Sequence, residues 1–438
     1  MISLRRILGS ALLALVSLTG LAQPRTVVLS GYVRDAESGE PLPQAVVFLE
    51  DRKTGVAADA VGFYSLHVPV GKHTVYCSYF GYETEEVPLE LTKAAKQDFN
   101  LKLDRSELEA ATIFSRSKRE EIKLPQMGLE RVDAALVKKM PTLMGENDII
   151  RVIQMMPGVQ TPSEGSTGFS VRGGGIDQNL ILIDGAPVYN CGHFLGFLSM
   201  FNGDAIRGAD LYKGDFPATY GGRISSVLDI STKDGNNRTF GGNASFGLIT
   251  SKLFLEGPIV PGKLSFMLAG RRTYMDLLLP IIGAKLPDRT QMYFYDLNGK
   301  LSWIAGEKDR VYLSAFSGKD VFGFSMQEFN LAEMVFGFAN HTQSLRWNHQ
   351  FSPKFTSDVI LYNSLYRNDI GTEMDSADFD TRQEIRESGV KAAWTWYING
   401  NNTLKAGLQA AWYPFTHRKR DRRKAGTGKK ITEADHRA

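Results

Sequence analysis

Two β-type patterns occupy the ends of this chain, and a glycine-punctuated stretch lies between them. From 27 to 103, the runs VVLSGYVRD, AVVFLE, FYSLHV, HTVYCSYF and QDFNLKL alternate or stay apolar over strand lengths. Turn signals separate them at Ser38-Gly39-Glu40-Pro41, Val61-Gly62, Pro69-Val70-Gly71 and Phe80-Gly81. Short strands at that spacing predict a β-sandwich. After Lys233 come GGNASFGLITSKLFLEGPI, KLSFMLAGR, LNGKLSWIAG, RVYLSAFSGK, SLRWNHQFS, FTSDVILYNSLYR, GVKAAWTWYING and TLKAGLQAAWYPF, many alternating apolar with small or polar residues. Tight turns at 305–309, 352–354 and 399–402 alternate with longer polar connections at 322–342 and 367–387. Short turns at one end and long loops at the other fit an outer-membrane barrel. A soluble antiparallel β protein gives a similar signal strand by strand.

The middle of the chain is organised differently. Residues 104–127 are polar, charged and without strong periodicity, as a linker is. Residues 132–156 show helical spacing, with Leu136, Ile149, Ile150, Ile153 and Met156 as core positions. Asn147-Asp148 supplies a cap, and Pro157-Gly158 a stop. From Phe169 to Lys233, short β-branched strands are set between glycine turns. Val171 leads into Arg172, Gly173 and Gly174, and the strand 180–183 ends on Asp184 and Gly185. Leu211-Tyr212-Lys213-Gly214, Tyr220-Gly221-Gly222-Arg223 and Val227-Leu228-Asp229-Ile230 follow.

Residues 1–22 read as a secretory signal peptide: Arg5 and Arg6 open it, 7–18 is the apolar core, and Gly20-Leu21-Ala22 forms a small-x-small cleavage site. The apolar run falls short of the roughly 20 residues a spanning helix needs, and no other run is longer. A membrane-spanning mature chain must therefore cross as a closed β-barrel. The formal charge of +3 is misleading, because the segment 417–438 holds nine Lys/Arg against three Asp/Glu, leaving −3 for the rest. There is no general basic bias toward nucleic acid. The only cysteines, Cys77 and Cys191, fall in different predicted domains and have no disulfide-framework spacing.

Catalytic chemistry is hard to find. The Arg172–Gly175 run is followed by a strand rather than by the helix N-terminus that a phosphate cradle needs. Gly426-Thr427-Gly428-Lys429-Lys430 lacks the first glycine and the Ser/Thr of a nucleotide-binding loop. No H-E-x-x-H, G-x-S-x-G or paired-cysteine zinc spacing occurs, and His67 and His73 lack ligand spacing. The residues point to no enzyme, no cofactor and no metal site.

The order strand–RG, strand–DG, strand–KG, YG–GG and a final strand ending T-K resembles the plug domain of TonB-dependent outer-membrane receptors. Gly31, Val33 and Asp35, then Gly39-Glu40-Pro41-Leu42, Gly62-Phe63-Tyr64 and Gly81-Tyr82, resemble the carboxypeptidase-regulatory-like domain that often precedes such plugs in SusC-type and related receptors. The resemblance implies a mainly β fold: an N-terminal β-sandwich at 27–103, a mixed α+β plug at 128–233 and a partial antiparallel transmembrane β-barrel at 234–416. It implies an outer-membrane location with the sandwich in the periplasm. It also implies nutrient import (siderophore, cobalamin, glycan or peptide) by TonB-driven displacement of the plug. The alternative is a surface ligand-binding or signal-relaying receptor that does not import.

The family's energy handle is a short extended segment captured by TonB through strand addition. Leu108, Glu109, Ala110, Ala111, Thr112, Ile113 and Phe114 occupy that place, with less β preference than the family's valine-rich form. TonB, energised by ExbB–ExbD, is the partner implied, with a surface SusD-type lipoprotein and outer-membrane lipid beside it. Arg172, Gly173, Gly174, Asp184, Gly185, Gly214, Tyr220, Gly221 and Gly222 are plug-structural positions. Arg172, Asp184, Asp229 and Lys233 are expected to pair among themselves or with the wall. Tyr189, His193 and Phe194 fall near the region where plug loops approach substrate, and packing within the plug is the plainer account.

The chain also departs from the family. A plugged lumen goes with about 22 strands, and the 204 residues after Asp234 allow eight to ten. The segment 417–438 has neither alternation nor an apolar face, and it reads as a basic tail foreign to the family. These features together suggest a truncated or frame-shifted copy of a longer receptor.

Overall fold

The computed structural model describes residues 26–51, 53–104, 128–140, 146–161, 167–247, 249–281, 291–326, 331–374, 377–425 and 428–437. The segment 1–22 expected to be a signal peptide and the 108–114 segment lie outside them. The N-terminal sandwich is built from β1 (Thr26–Asp35), β2 (Val46–Leu49), β3 (Gly55–Ala57), β4 (Phe63–Pro69), β5 (Gly71–Ser78), β6 (Glu85–Leu91), β7 (Ala95–Lys96) and β8 (Phe99–Leu101). One sheet pairs β4 with β1, and β7 and β8 run parallel to β1 on its other side; the second has the order β3-β2-β5-β6. Leu29, Val33, Val47, Tyr64, Val75 and Phe99 fill the space between them. The sequence reading passed over β6, whose Glu85-Glu86-Val87-Pro88 start resembles a loop. Its position at a sheet edge is where a proline, lacking an N–H, is tolerated.

The plug follows: β9 (Leu129–Asp133), α1 (Ala134–Lys139), α2 (Ile149–Gln154), β10 (Val159–Gln160), β11 (Ser170–Val171), β12 (Asn179–Ile183), β13 (Ala186–Pro187), β14 (Gly192–His193), β15 (Leu198–Ser199), β16 (Ile206–Tyr212) and β17 (Ser226–Thr232). The helical pattern expected over 132–156 resolves into two short helices, and Val132 belongs to a strand instead. Asp148 caps α2, its carboxylate accepting the Ile150 N–H at 2.8 Å. The main sheet has the order β13-β12-β17-β16-β9, with β12 parallel to β17 and β9 at an edge. Ile149, Ile150 and Ile153 pack on Ile181, Leu211, Leu228 and Ile230.

An antiparallel wall completes the molecule: β18 (Gly241–Phe246), β19 (Thr250–Val260), β20 (Leu264–Thr273), β21 (Gln291–Ile304), β22 (Asp309–Met326), β23 (Leu331–Ser352), β24 (Phe355–Met374), β25 (Ala377–Asn399), β26 (Asn402–Trp412), β27 (Phe415–Ala425) and β28 (Gly428–Arg437), with α3 (Met275–Ile281) between β20 and β21. Eleven strands thus follow Asp234 among the described residues, one more than the eight to ten expected, because the segment 417–438 is strand as well. Two sequence readings change here. The connections expected at 322–342 and 367–387 are mostly strand, since β22–β25 extend through them. The segment read as a foreign tail is paired into the sheet, β27 on β25 and β28 on β27. Charged and glycine residues give both segments the look of connections, yet backbone pairing carries the sheet through them. Among the described residues β18 and β28 are not paired with each other, and the sheet is open.

The wall's polarity resolves the ambiguity left by its sequence. Along β21, Asp296, Asn298, Lys300 and Ser302 are buried, whereas Leu297, Leu301 and Trp303 are exposed. On β23, Asn340, Thr342, Ser344 and Asn348 are buried, and Leu345 and Trp347 are exposed. Polar residues face the plug and apolar ones face outward. That is the arrangement of a barrel wall in lipid and the reverse of a soluble sheet. Trp303 and Trp347 stand in one row across Val311 near the short-turn end, as an interfacial aromatic girdle does.

Candidate functional site

The plug's two signature turns have the same physical basis. Arg172 and Gly173 both take positive φ (50° and 82°), and the Val171 carbonyl accepts the Gly174 N–H at 3.0 Å. Asp184 and Gly185 also take positive φ (47° and 83°) between the paired Ile183 and Ala186. Two successive positive-φ residues are the signature of a type I′ turn, which suits glycine second. Gly214 (φ 151°) and Gly222 (φ 85°) also need glycine's freedom. Gly221 follows Tyr220, whose hydroxyl donates to Asp229 at 2.9 Å.

Several of these residues also tie plug to wall. Asp184 accepts from Lys300 on β21 at 3.1 Å and from the Thr232 N–H at 3.1 Å. Burial opposes its charge, but Lys300 and Thr232 outweigh burial and hold its carboxyl below the usual range. Lys300 also reaches Asp234, 2.7 Å away, which Arg207 meets at 2.9 Å. Lys233 lies over the ring of Phe254 on the wall. For Asp184 the pairing reaches the wall, while Lys233 meets the wall through an aromatic ring. Asp229 accepts from Tyr220 within the plug and also feels Lys391 and Arg346 of the wall, yet burial raises its pKa to about 6 against them. Arg172 is exposed beside Gly214.

The tightest junction centres on His193. Its Nε2 lies 2.5 Å from Asp296 on β21, and its Nδ1 2.5 Å from Asp320 on β22. The ring stacks on Phe294 at 4.1 Å, and all of these groups are buried. Burial works against a charged imidazole, but the two aspartates prevail and raise its pKa to about 9. Phe194 holds a positive φ (49°), donates its N–H to Asp320 at 3.1 Å and packs edge-on against Phe294. Arg271 on β20 bonds Asp296 through Nε at 2.8 Å and the Ser199 carbonyl at 2.7 Å. It also lies 3.5 Å from Glu146, which accepts from Thr250 and Lys252. Of the three residues expected near substrate, His193 and Phe194 are thus enclosed by the wall. Tyr189 lines a cavity of about 440 Å³ between plug and wall, together with Arg223, Glu387 and Lys391, and donates to Glu387 at 2.6 Å.

The sequence reading missed the wall's half of these contacts: Arg271, Asp296, Lys300, Asp320 and Glu387. Asp296-Leu297-Asn298-Gly299-Lys300-Leu301 shows the available signal, charges placed at the polar positions of an alternating strand. Cys77 and Cys191 are free, buried thiols in separate cores.

Residues 132–227 match the TonB-dependent Receptor Plug Domain, and residues 29–114 the CarboxypepD_reg-like domain. The chain carries the plug of the TonB-dependent receptors. Over 228 residues it is 26% identical to a probable TonB-dependent siderophore receptor PirA of Acinetobacter baumannii, covering 44% of this chain and 29% of that receptor. Over 211 residues it is 26% identical to the TonB-dependent receptor P39 of Formosa agariphila, covering 45% of this chain and 19% of that receptor. The matched part thus spans less than a third of either relative. Among solved structures, the unliganded ferric citrate transporter FecA aligns with a TM-score of 0.50 at 12% identity, over 73% of this chain and 52% of that one. That likeness concerns fold alone: a plug set against a β-barrel wall.

Proposed function

We propose that the chain serves as a TonB-dependent outer-membrane receptor, with the sandwich in the periplasm, that imports a nutrient when TonB displaces its plug. The observation that carries this reading is the set of buried ionic ties from an apolar-out wall onto the plug, above all His193 between Asp296 and Asp320. Removing one member of such a buried set costs about 3–5 kcal/mol, and several such sets join plug to wall. An outer-membrane protein has no nucleotide at hand, and the work must arrive mechanically. TonB, energised by ExbB–ExbD, supplies it through strand addition at 108–114, a segment outside the described residues.

The test is capture of this receptor by the periplasmic domain of TonB. Thr112→Pro removes one ladder hydrogen bond and is expected to weaken capture about tenfold while leaving plug and wall intact. Capture at the wild-type level would dispose of this segment as the handle. Location has its own test: a wall in lipid should migrate in a heat-modifiable way from the outer-membrane fraction, and recovery in the soluble periplasm would rule it out.

A further inference from the structure

The sandwich is seated on its neighbours at three places. Glu40, between β1 and β2, accepts the successive N–H groups of Asp234 and Gly235 at 2.6 and 2.8 Å through one carboxylate oxygen. Two such amides form a small anion cradle. Gly235 shapes it with φ 80°, where a Cβ would meet the Phe266 carbonyl oxygen. Beside it, the Ser38 carbonyl accepts from Asn237 N–H at 2.9 Å and the Ala36 carbonyl from Arg238 at 2.6 Å. The second place is apolar: Phe63 packs near Tyr397, and Arg310 lies 4.6 Å over the Tyr32 ring.

The third place is the plug's edge strand. The Tyr79 hydroxyl donates to Asp133 at 3.0 Å. Arg131 donates to the Pro43 carbonyl at 2.8 Å and to Asp133 at 3.0 Å, lies over the Tyr79 ring, and reaches within 3.8 Å of Asp210 on β16. Because β9 pairs on one side only among the described residues, with β16, these side chains supply lateral support that the sheet does not.

We propose that the sandwich is a clamp on β9, and that a periplasmic pull must undock the sandwich before the plug moves. The clamp stands on the contacts above. The order of release rests on the reading of 108–114 as the handle. From Asp104 to Leu108 the chain spans at most about 14 Å, whereas from Phe114 to Leu129 it can extend about 50 Å. The shorter arm becomes taut first, so the load falls on Glu40, Tyr79 and Arg131 before it reaches the plug sheet. The sandwich thereby sets the threshold at which a pull becomes opening.

Two measurements on the full-length protein test this. In hydrogen exchange, Glu40→Ala combined with Tyr79→Phe is expected to speed exchange of the β9 amides about tenfold while β12 and β17 keep their rates. An unchanged β9, or an equal rise throughout the plug, would overturn the clamp. For the order of release, the receptor in liposomes is pulled by optical tweezers through a handle coupled at Thr112→Cys, after Ser38→Cys and Asn237→Cys have been joined as a disulfide. The first extension should vanish in the oxidised protein and return on reduction. A plug extension that comes first, or a first extension indifferent to the disulfide, would overturn the order. Neither measurement uses TonB, so a failed capture test with Thr112→Pro would count against the handle alone.

Discussion

The sandwich and the wall are both antiparallel β structure, built from similar residues, yet their side chains are sorted in opposite senses. In the sandwich, Leu29, Val47 and Val75 point inward, and Glu86 and Glu90 outward. In the wall, Asp296, Lys300 and Asp320 point inward, and Leu301, Leu313 and Leu345 outward. Alternation alone says that a strand has two faces. What each face meets is decided by its surroundings: water and an apolar core for the sandwich, lipid and a polar plug for the wall.

Three substitutions and one surface control, Glu90→Arg, probe that contrast. The largest effect is expected from His193→Ala, which leaves Asp296 and Asp320 buried around a void and should cost about 3–5 kcal/mol of plug retention. Alkylation of Cys191, buried in the plug, should then begin at lower urea, and an unchanged urea dependence would count against the tie. The same tie has a pH signature. The His193 pKa is raised from 6.5 to about 9, so its stabilisation is fully present below pH 6.5 and is lost as pH rises through about 9. Next comes Leu301→Arg, which puts a charge on the outer face at a cost of about 2–4 kcal/mol in lipid. Its folded, heat-modifiable band should diminish, whereas Glu90→Arg on the sandwich surface should stay within about 0.5 kcal/mol of wild type. If both behave alike, the wall's outer face is not in lipid. The smallest is Val75→Ala, which removes two buried methylene equivalents for about 2 kcal/mol. It should advance urea-dependent alkylation of Cys77 and leave that of Cys191 unmoved.

Much of this architecture was legible in the sequence wherever local chemistry forces a shape. Arg172-Gly173 and Asp184-Gly185 announce their turns because few residue pairs accept two positive φ values in succession. Asp148 announces a helix start for a similar reason. His193 did not announce its role. Its partners lie 103 and 127 positions away on wall strands, and only closure of sheet over plug brings them together. The long hairpins β22–β23 and β24–β25 were missed because their charged and glycine residues resemble connections, although Phe322, Phe324 and Met326 keep the alternation of a strand. The docking of Glu40 on Asp234 and Gly235 was illegible for a further reason, since backbone amides take part in it and leave no residue type to read.

The row containing Trp303 and Trp347 has a consequence for where the sandwich lives. Gln350, whose side chain the Tyr32 hydroxyl of the sandwich meets at 3.5 Å, lies only three positions along the chain from Trp347. That is about 10 Å along a strand, and less along the membrane normal once the strand tilts. The sandwich is therefore docked at the short-turn end of the wall, level with the tryptophan row, so whatever surrounds that row also bounds the sandwich's flank.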